Sequence, residues 1–154
     1  EWLGKQSIKA GEEAGRDMSD YKVIVAAPAY FGDKESCIEA TKWFPAMVGN
    51  HVADIVEKYG TDSGLVPKSL TDYIEKRKGY DYSKHGQSDN PYLDFITPEI
   101  VESFCVLGQP EDHVNKLQKL QEAGMTHFNI YLDNGDEENI IAQYGEHVIP
   151  RFRS

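Results

Sequence analysis

Cysteine and long apolar runs are both scarce in this sequence. Its 154 residues include only 2 cysteines, Cys37 and Cys105, which lie far apart and outside any CxxC spacing. This spacing argues against a disulfide framework and a zinc site, and we expect two buried free thiols. No apolar run approaches the roughly 20 residues that span a bilayer, and no signal peptide opens the chain. These absences predict a cytoplasmic protein.

Positive charge is scarce as well. Lys and Arg total 16 against 26 Asp and Glu, so the formal net charge is −10. Nucleic acids and anionic membrane surfaces repel such a chain, which excludes both as partners. A bound phosphate would have to be held by backbone N–H groups or by a few well-placed cations.

The common catalytic and metal-binding signatures are also missing. "FGDKES" lacks the P-loop pattern, no GxSxG stretch is present, and neither cysteine forms a Cys–His pair. The five histidines form no HExxH or comparable ligand spacing, so no metal site is predicted. They are His51, His85, His113, His127 and His147. Function must therefore be sought in the fold and at the ends of its strands.

The sequence contains a helix, a glycine and a strand in the same order at two places. It occurs at "EEAGRDMSDYKVIVAAP" and again at "QEAGMTHFNIYLD". The first strand is apolar on both faces from Val23 to Ala27, which is typical of a parallel sheet covered on both sides. Pro28 has no N–H for a ladder, so we expect the regular strand to end there. The alternation predicts an α/β fold with a parallel sheet.

The segment between these strands is helical and interrupted by prolines. "DKESCIEATKWF" predicts one helix that Pro45 stops or kinks, and Thr97 and Pro98 begin another. A short strand at "FCVLG" is the only further candidate. So few strands leave both sheet edges unpaired, at a cost of about 1–3 kcal/mol for each buried unsatisfied backbone group. We therefore expect a single segment, residues 1–154, that forms part of a larger sheet.

Two stretches resemble the luciferase-like flavin oxidoreductase superfamily. "GQPEDHVNKLQKLQEAGMTHFNIYLDNGDEENIIAQYGEHVIPRF" resembles its C-terminal end, where a G-[TS]-P-E-E helix start, an EAG helix stop, an apolar strand and a VIPRL helix recur. "AGEEAGRDMSDYKVIVAAPAYFGD" resembles the preceding unit. "YDYSKHG…TPEIVESFCVLG" is most similar to the deazaflavin-dependent branch related to methylenetetrahydromethanopterin reductase. Gln109 departs from the pattern, since the family has Ser or Thr there, and we expect a weaker helix cap.

The resemblance implies the C-terminal part of a (β/α)₈ TIM barrel, with parallel strands and a helical insertion at about residues 34–97. It implies an oxidoreductase or monooxygenase that uses FMN or a deazaflavin coenzyme for hydride transfer or oxygen activation on a small-molecule substrate. Most of the cofactor site would lie outside this chain, so we expect the isolated chain to be inactive. Its partner would be the missing N-terminal barrel portion or a second copy, in a homo-oligomer. The alternative is a non-catalytic half-barrel binding or assembly domain that dimerises through its open sheet edges.

The resemblance also directs attention to side chains at the carboxyl ends of the strands. Tyr30 and Tyr131 would stack near a flavin ring, or they cover the core, as aromatic side chains at strand ends commonly do. Asp133 would act as a general acid–base or hydrogen-bond a cofactor hydroxyl, or it belongs to an "LDNGD" turn that caps the next helix. His85 lies in a loop that would fold over the barrel mouth and donate a proton, or it is an ordinary exposed side chain.

The one cationic cluster, in "EKRKG", consists of Lys76, Arg77 and Lys78. It would hold a phosphate or the acidic tail of a deazaflavin coenzyme. Cations in the last turn of a helix also complement the helix dipole without any ligand, which is the second interpretation.

Overall fold

The computed structural model describes residues 2–49, 96–133 and 135–153. Helices and strands alternate along these residues. They are α1 (Trp2–Glu13), β1 (Ile24–Phe31), α2 (Lys34–Thr41), α3 (Pro98–Phe104), β2 (Val106–Gly108), α4 (Pro110–Glu122), β3 (His127–Tyr131) and α5 (Glu137–Gln143), then a π-helical turn (Tyr144–Val148) and a 3₁₀ turn (Ile149–Phe152). Residues 43–49 are also helical. Most of the predicted helical insertion lies outside the described residues, as do His85, Lys76, Arg77 and Lys78.

The three strands form one parallel sheet in the order β2–β1–β3. Ile24–Pro28 of β1 pairs with His127–Tyr131 of β3, and Ala29–Phe31 pairs with Val106–Gly108 of β2. The parallel pairing of the two main strands and the short third strand confirm the predictions from the sequence. Among the described residues, no strand pairs with the outer edge of β3.

β1 continues through Pro28 to Phe31, so the prediction that the strand ends at Pro28 was wrong. The reason lies in a change of partner that the local sequence does not encode. Pairing with β3 ends at Pro28, and pairing with β2 begins at Ala29. The missing N–H of Pro28 therefore falls where the ladder passes from one edge of β1 to the other.

α2 begins at an N-cap, where Asp33 accepts a hydrogen bond from a backbone N–H of the first turn at 2.9 Å. The helix ends at Thr41, and a turn at Lys42 separates it from residues 43–49. The break thus comes before Pro45, which the sequence predicted as the stop. Pro45 instead lies in the first turn of the second helix, where its missing N–H removes no helical hydrogen bond.

Helices cover one face of the sheet through two apolar clusters. The first core cluster joins the strands to α4, α5 and the π-helical turn. Its buried members are Ala29, Val106, Val114, Leu117, Ile140, Tyr144 and Val148. The second core cluster joins the sheet to α3 and residues 43–49. Its buried members are Ala27, Trp43, Phe44, Val101 and Cys105.

The opposite face of the sheet is exposed at the start of β1 and along β3, whereas Pro28 further along β1 is buried. Burial alternates along β3, so that Phe128 and Ile130 pack inward while His127, Asn129 and Tyr131 are exposed. Residues directly opposite each other on neighbouring strands share a face, and the register pairs Ile24 with His127 and Ala26 with Asn129. All four are exposed. We call this surface the open face; its residues are Ile24, Ala26, His127, Asn129 and Tyr131. None of the described helices is long and apolar enough to cross a membrane.

Gly108, which ends β2, permits the tight connection to α4. Its φ is +116°, and a Cβ there would lie 2.6 Å from Asp112 Oδ2. That oxygen accepts a hydrogen bond from Gln109 N at 2.8 Å. We predict that Gly108→Ala lowers the free energy of unfolding by about 2 kcal/mol, from backbone strain and displacement of the cap. Urea unfolding of the chain measures this quantity.

Gly145→Ala is the matched control, because a Cβ at Gly145 meets nothing within 4 Å. We expect that variant to stay within about 0.5 kcal/mol of the wild type. Equal losses in the two variants would contradict this account of the β2–α4 connection.

Candidate functional site

The carboxyl end of β3 lies beside the middle of β1, because the parallel strands begin in register at Ile24 and His127 and β1 continues beyond this pairing to Phe31. Pro28 is opposite Tyr131, the last residue of β3. Residues 43–49 pack over this end through Phe44, whose ring centroid lies 5.4 Å from that of Tyr131 at an interplanar angle of 48°. Tyr131 nevertheless remains 43% exposed. Its ring is therefore anchored yet accessible, at the end of a parallel sheet where ligand sites lie.

A shallow cavity lies against β3 and the open face. It has a volume of about 500 Å³ and is lined by Ala26, Phe128, Asn129, Ile130 and Tyr131. Ala26 contributes only a methyl group, and it lies directly opposite the amide-bearing Asn129. A small residue beside a hydrogen-bonding amide and an accessible aromatic ring is a surface that suits a planar ring.

The loop after β1 is held by hydrogen bonds to the end of β2 and to the N-cap residue of α4. Gly32 N donates to Gly108 O, and Gln109 Nε2 donates to Gly32 O, each at 3.2 Å. Asp112 accepts from Gln109 N and so caps α4. The weaker cap that we expected from Gln109 is therefore offset by the Asp112 carboxylate, and the Gln109 side chain gains a contact with the β1 loop.

A polar cavity of about 330 Å³ lies between α2, α3 and the start of α4. Lys34 Nζ and Glu102 Oε1 form an ion pair in it at 2.6 Å, and the hydrogen bond to Glu102 raises the pKa of Lys34. Burial lowers the pKa of Lys116, which donates to the carbonyls of Glu102 and Cys105 near the end of α3. The described cations that line this cavity therefore already have partners, and we do not assign it a phosphate.

Cys37 and Cys105 are both free and buried, as predicted. Burial raises the pKa of both thiols, that of Cys105 to about 12. Nucleophilic cysteines need the thiolate form, so neither is a candidate nucleophile at neutral pH. Among the described residues, no group of three His, Cys, Asp or Glu side chains is arranged to hold a metal ion.

His113 in α4 is a fully buried histidine, with an exposed fraction of 0%. Its Nδ1 lies 3.1 Å from Tyr144 Oη and its Nε2 lies 3.2 Å from Tyr30 O. Its ring stacks on Phe31, with centroids 3.9 Å apart and 9° between the planes. The sequence carried one signal for this burial: His113 precedes Leu117 by four residues, on the inward stripe of α4.

The candidate residues named from the sequence have different surroundings. Tyr131 lies on the open face, whereas Tyr30 is half-buried and packs against the first core cluster. Asp133 is exposed after β3, and the N-cap position of α5 is occupied by Asp136. The catalytic and cofactor-binding roles considered for these residues stay predictions.

The family of this chain follows from comparison with known proteins. The model of a family described as "Luciferase-like monooxygenase" matches residues 1–127. The chain belongs to the luciferase-like monooxygenase family. Its fold is that of part of a TIM barrel, since a solved luciferase-like barrel, the coenzyme F420 dependent tetrahydromethanopterin reductase from Methanopyrus kandleri, matches it with a TM-score of 0.54. That match has 25% identity and covers 93% of this chain and 39% of the reductase.

Curated relatives of this luciferase-like chain are considerably longer than it is. The 5,10-methylenetetrahydromethanopterin reductase of Methanopyrus kandleri is 28% identical over 151 residues, which are 94% of this chain and 39% of the reductase. An F420-dependent glucose-6-phosphate dehydrogenase of Kribbella flavida is 23% identical over 96% of this chain and 37% of the enzyme. A protein of Delftia acidovorans with a different kind of name, UDP-N-acetylmuramate--L-alanine ligase, is 28% identical over 96% of this chain and 31% of its own length. The chain thus spans less than two fifths of the relatives that it matches.

The burial of His113 predicts how the stability of the protein depends on pH. Its pKa is lowered by burial to about 4 in the folded protein, against about 6.5 in an unfolded chain. The unfolded state therefore binds more protons between these values. Stability is full above about pH 6.5 and falls as the pH drops towards 4, by about 3 kcal/mol in total. Asp112 and Lys116 also act on the ring, the first raising and the second lowering its pKa.

The measurement is urea unfolding of the wild type, His113→Phe and His127→Phe from about pH 4 to pH 7.5. We expect the stability of the wild type relative to His113→Phe to fall as the pH is lowered, because only the wild type carries the buried imidazole. His127→Phe replaces an exposed histidine. The difference in stability between the wild type and this variant should show no comparable fall as the pH is lowered. A difference from His113→Phe that does not change with pH would contradict a neutral buried ring.

Proposed function

We propose that this protein contributes the carboxyl-terminal part of a luciferase-like oxidoreductase barrel that transfers hydride with a deazaflavin coenzyme of the F420 type. Family membership supports the oxidoreductase class. The choice of deazaflavin over FMN is supported by the names of two relatives, each of which states F420 dependence. The substrate would be a small molecule, bound beside the coenzyme.

The observation that carries this proposal is the open face of β1 and β3, which reaches the carboxyl end of β3 at Tyr131. A planar ring needs a flat apolar floor, and Ala26 supplies one because its side chain is a single methyl group. Asn129 provides hydrogen-bonding groups, and Tyr131 an accessible aromatic ring. Offset stacking on such a ring is worth about 0.5–1.5 kcal/mol beyond the burial of its area. These residues therefore fit one side of a deazaflavin.

When bound, the coenzyme would supply the hydride chemistry, and the protein supplies position and exclusion of water. In this proposal Tyr131 stacks on the ring and Asn129 orients it. Asp133 and His85 are the candidates to hold or move a proton, and Lys76, Arg77 and Lys78 are the candidates to bind the acidic tail. The remaining contacts would come from the rest of the barrel.

The test is a titration of the purified chain with F420, followed by the fluorescence of the coenzyme, with FMN in parallel. We expect weak saturable binding that favours F420, and negligible redox turnover by the chain alone. Tyr131→Ala should raise the Kd for F420 about five- to tenfold, through loss of stacking.

Tyr21→Ala is the control for that titration, because Tyr21 is also partly exposed, at 39%, but lies before β1 and outside the open face. Equal effects of the two substitutions, or tighter binding of FMN than of F420, would contradict the proposed site. Robust turnover by the 154-residue chain would contradict the proposal that most of the site lies elsewhere.

A non-catalytic assembly role is the second candidate, and one observation favours it. An apolar groove of about 510 Å³ lies between α4 and the carboxyl-terminal turns and borders β3. Three apolar side chains in it are unusually exposed: Ile141, Ile149 and Phe152. Together with the outer edge of β3, this groove would accept a second copy of the chain, since open edges and apolar patches favour association.

Sedimentation of the purified chain, without any cofactor, distinguishes the two candidates. The assembly role predicts a tight dimer that Ile141→Lys converts to a monomer, because a charge in an apolar interface is costly. Asn115→Lys is the control, since Asn115 is exposed on α4 and does not line the groove. A monomer that Ile141→Lys leaves unchanged would contradict the assembly role.

A further inference from the structure

The carboxyl end of β1 carries a set of contacts that the proposed function does not account for. The carbonyl oxygen of Tyr30 accepts from His113 Nε2 at 3.2 Å and from the thiol of Cys37 at 3.4 Å. The imidazole stacks on Phe31, the next residue, and its Nδ1 meets Tyr144 Oη at 3.1 Å. One buried ring thus connects α4 with the end of β1 and with the π-helical turn after α5.

These partners decide which nitrogen carries the proton. A backbone carbonyl only accepts hydrogen bonds, so Nε2 of His113 must be the donor to Tyr30 O. In a neutral imidazole the other nitrogen is then an acceptor, and the Tyr144 hydroxyl must donate to Nδ1. Each polar atom of the two side chains therefore has a partner of the opposite kind, as buried groups require.

We propose that His113 is a positioning residue, held as the neutral Nε2–H tautomer by Tyr144, and that it fixes the Tyr30 carbonyl and hence the backbone that leads into the loop after β1. Gly32, two residues on, donates to the carbonyl of Gly108 at the end of β2 and accepts from the side chain of Gln109, the N-cap residue of α4. The strand end is thus held at Tyr30 from α4 and at Gly32 from the connection between β2 and α4. Sites supported in this way keep their geometry when a ligand binds.

If His113 contributed only by packing, another aromatic ring could replace it. Phe31 and the apolar cluster around it would accept a phenylalanine ring as well as an imidazole. That ring would leave Tyr30 O without its imidazole donor and Tyr144 Oη without an acceptor, both in a buried place where the loss is costly. A glutamine has the opposite properties: it does not stack as a ring, but its Nε2 reaches about as far as the histidine Nε2 and donates.

The first measurement is ¹⁵N NMR of the imidazole nitrogens in the 154-residue chain at neutral pH. The expected spectrum of His113 has a protonated Nε2 and an unprotonated Nδ1. Tyr144→Phe should shift the Nδ1 resonance, whereas Tyr21→Phe should leave it in place. A ring protonated on Nδ1, or on both nitrogens, would overturn the proposal.

The second measurement is amide hydrogen exchange at Gly32 in His113→Phe and His113→Gln. We expect exchange to rise about tenfold in His113→Phe, equivalent to one lost hydrogen bond, and to stay within about threefold of the wild type in His113→Gln. His127→Phe is the control and should change nothing at Gly32. Faster exchange in the glutamine variant than in the phenylalanine variant would assign His113 to packing. If His113→Phe does not fold, the glutamine variant and the tautomer of the wild type decide the question.

The relevance of this loop to a coenzyme rests on the proposed function. The tautomer and the exchange rates involve no coenzyme, so the positioning role and the proposed function can fail separately.

Discussion

The parallel pairing of β1 with β3 is the constraint on which the rest of this structure depends. It aligns Ile24–Pro28 with His127–Tyr131, and it brings the two segments side by side although about 100 residues separate them in the chain. Alternation along the strands then fixes the two faces. One receives the helices and their apolar clusters, while the other exposes Ala26, Asn129 and Tyr131. The barrel fold, the open face and the candidate site are all consequences of this one ladder.

The end of β1 is held more firmly than strand pairing alone requires. The donors of His113 and Cys37 converge on one carbonyl, and Gly32 is bonded to Gly108 at the end of β2 and to Gln109 at the N-cap of α4. In the adjoining polar cavity, Lys34 forms an ion pair with Glu102 and Lys116 donates to a carbonyl near the end of α3. Both lysines therefore already have protein partners. This region therefore provides a rigid frame next to the open face, whereas the open face has accessible groups. Such a division between a supporting network and a binding surface is common in α/β enzymes.

Local sequence was sufficient for features that local chemistry decides. The parallel strands, the short strand at Val106–Gly108 and the two buried thiols were all predicted, because apolar patterning and spacing encode them. The prediction that β1 ends at Pro28 was wrong, because the strand continues by pairing with β2, which is distant in the sequence. The role of His113 was missed for the same reason: its partners Tyr30 and Tyr144 lie 83 and 31 residues away. Of the candidate site, the sequence indicated the strand ends and Tyr131, but not the network that supports them.

The central claim is that the open face of β1 and β3, which reaches the carboxyl end of β3 at Tyr131, is the surface that meets the coenzyme. A crystal structure of the protein bound to F420 tests it most directly. The account predicts the deazaflavin ring in van der Waals contact with Ala26 and Tyr131, and a hydrogen bond from the coenzyme to Asn129. A ring bound in the groove between α4 and the carboxyl-terminal turns, with the open face empty, would contradict it.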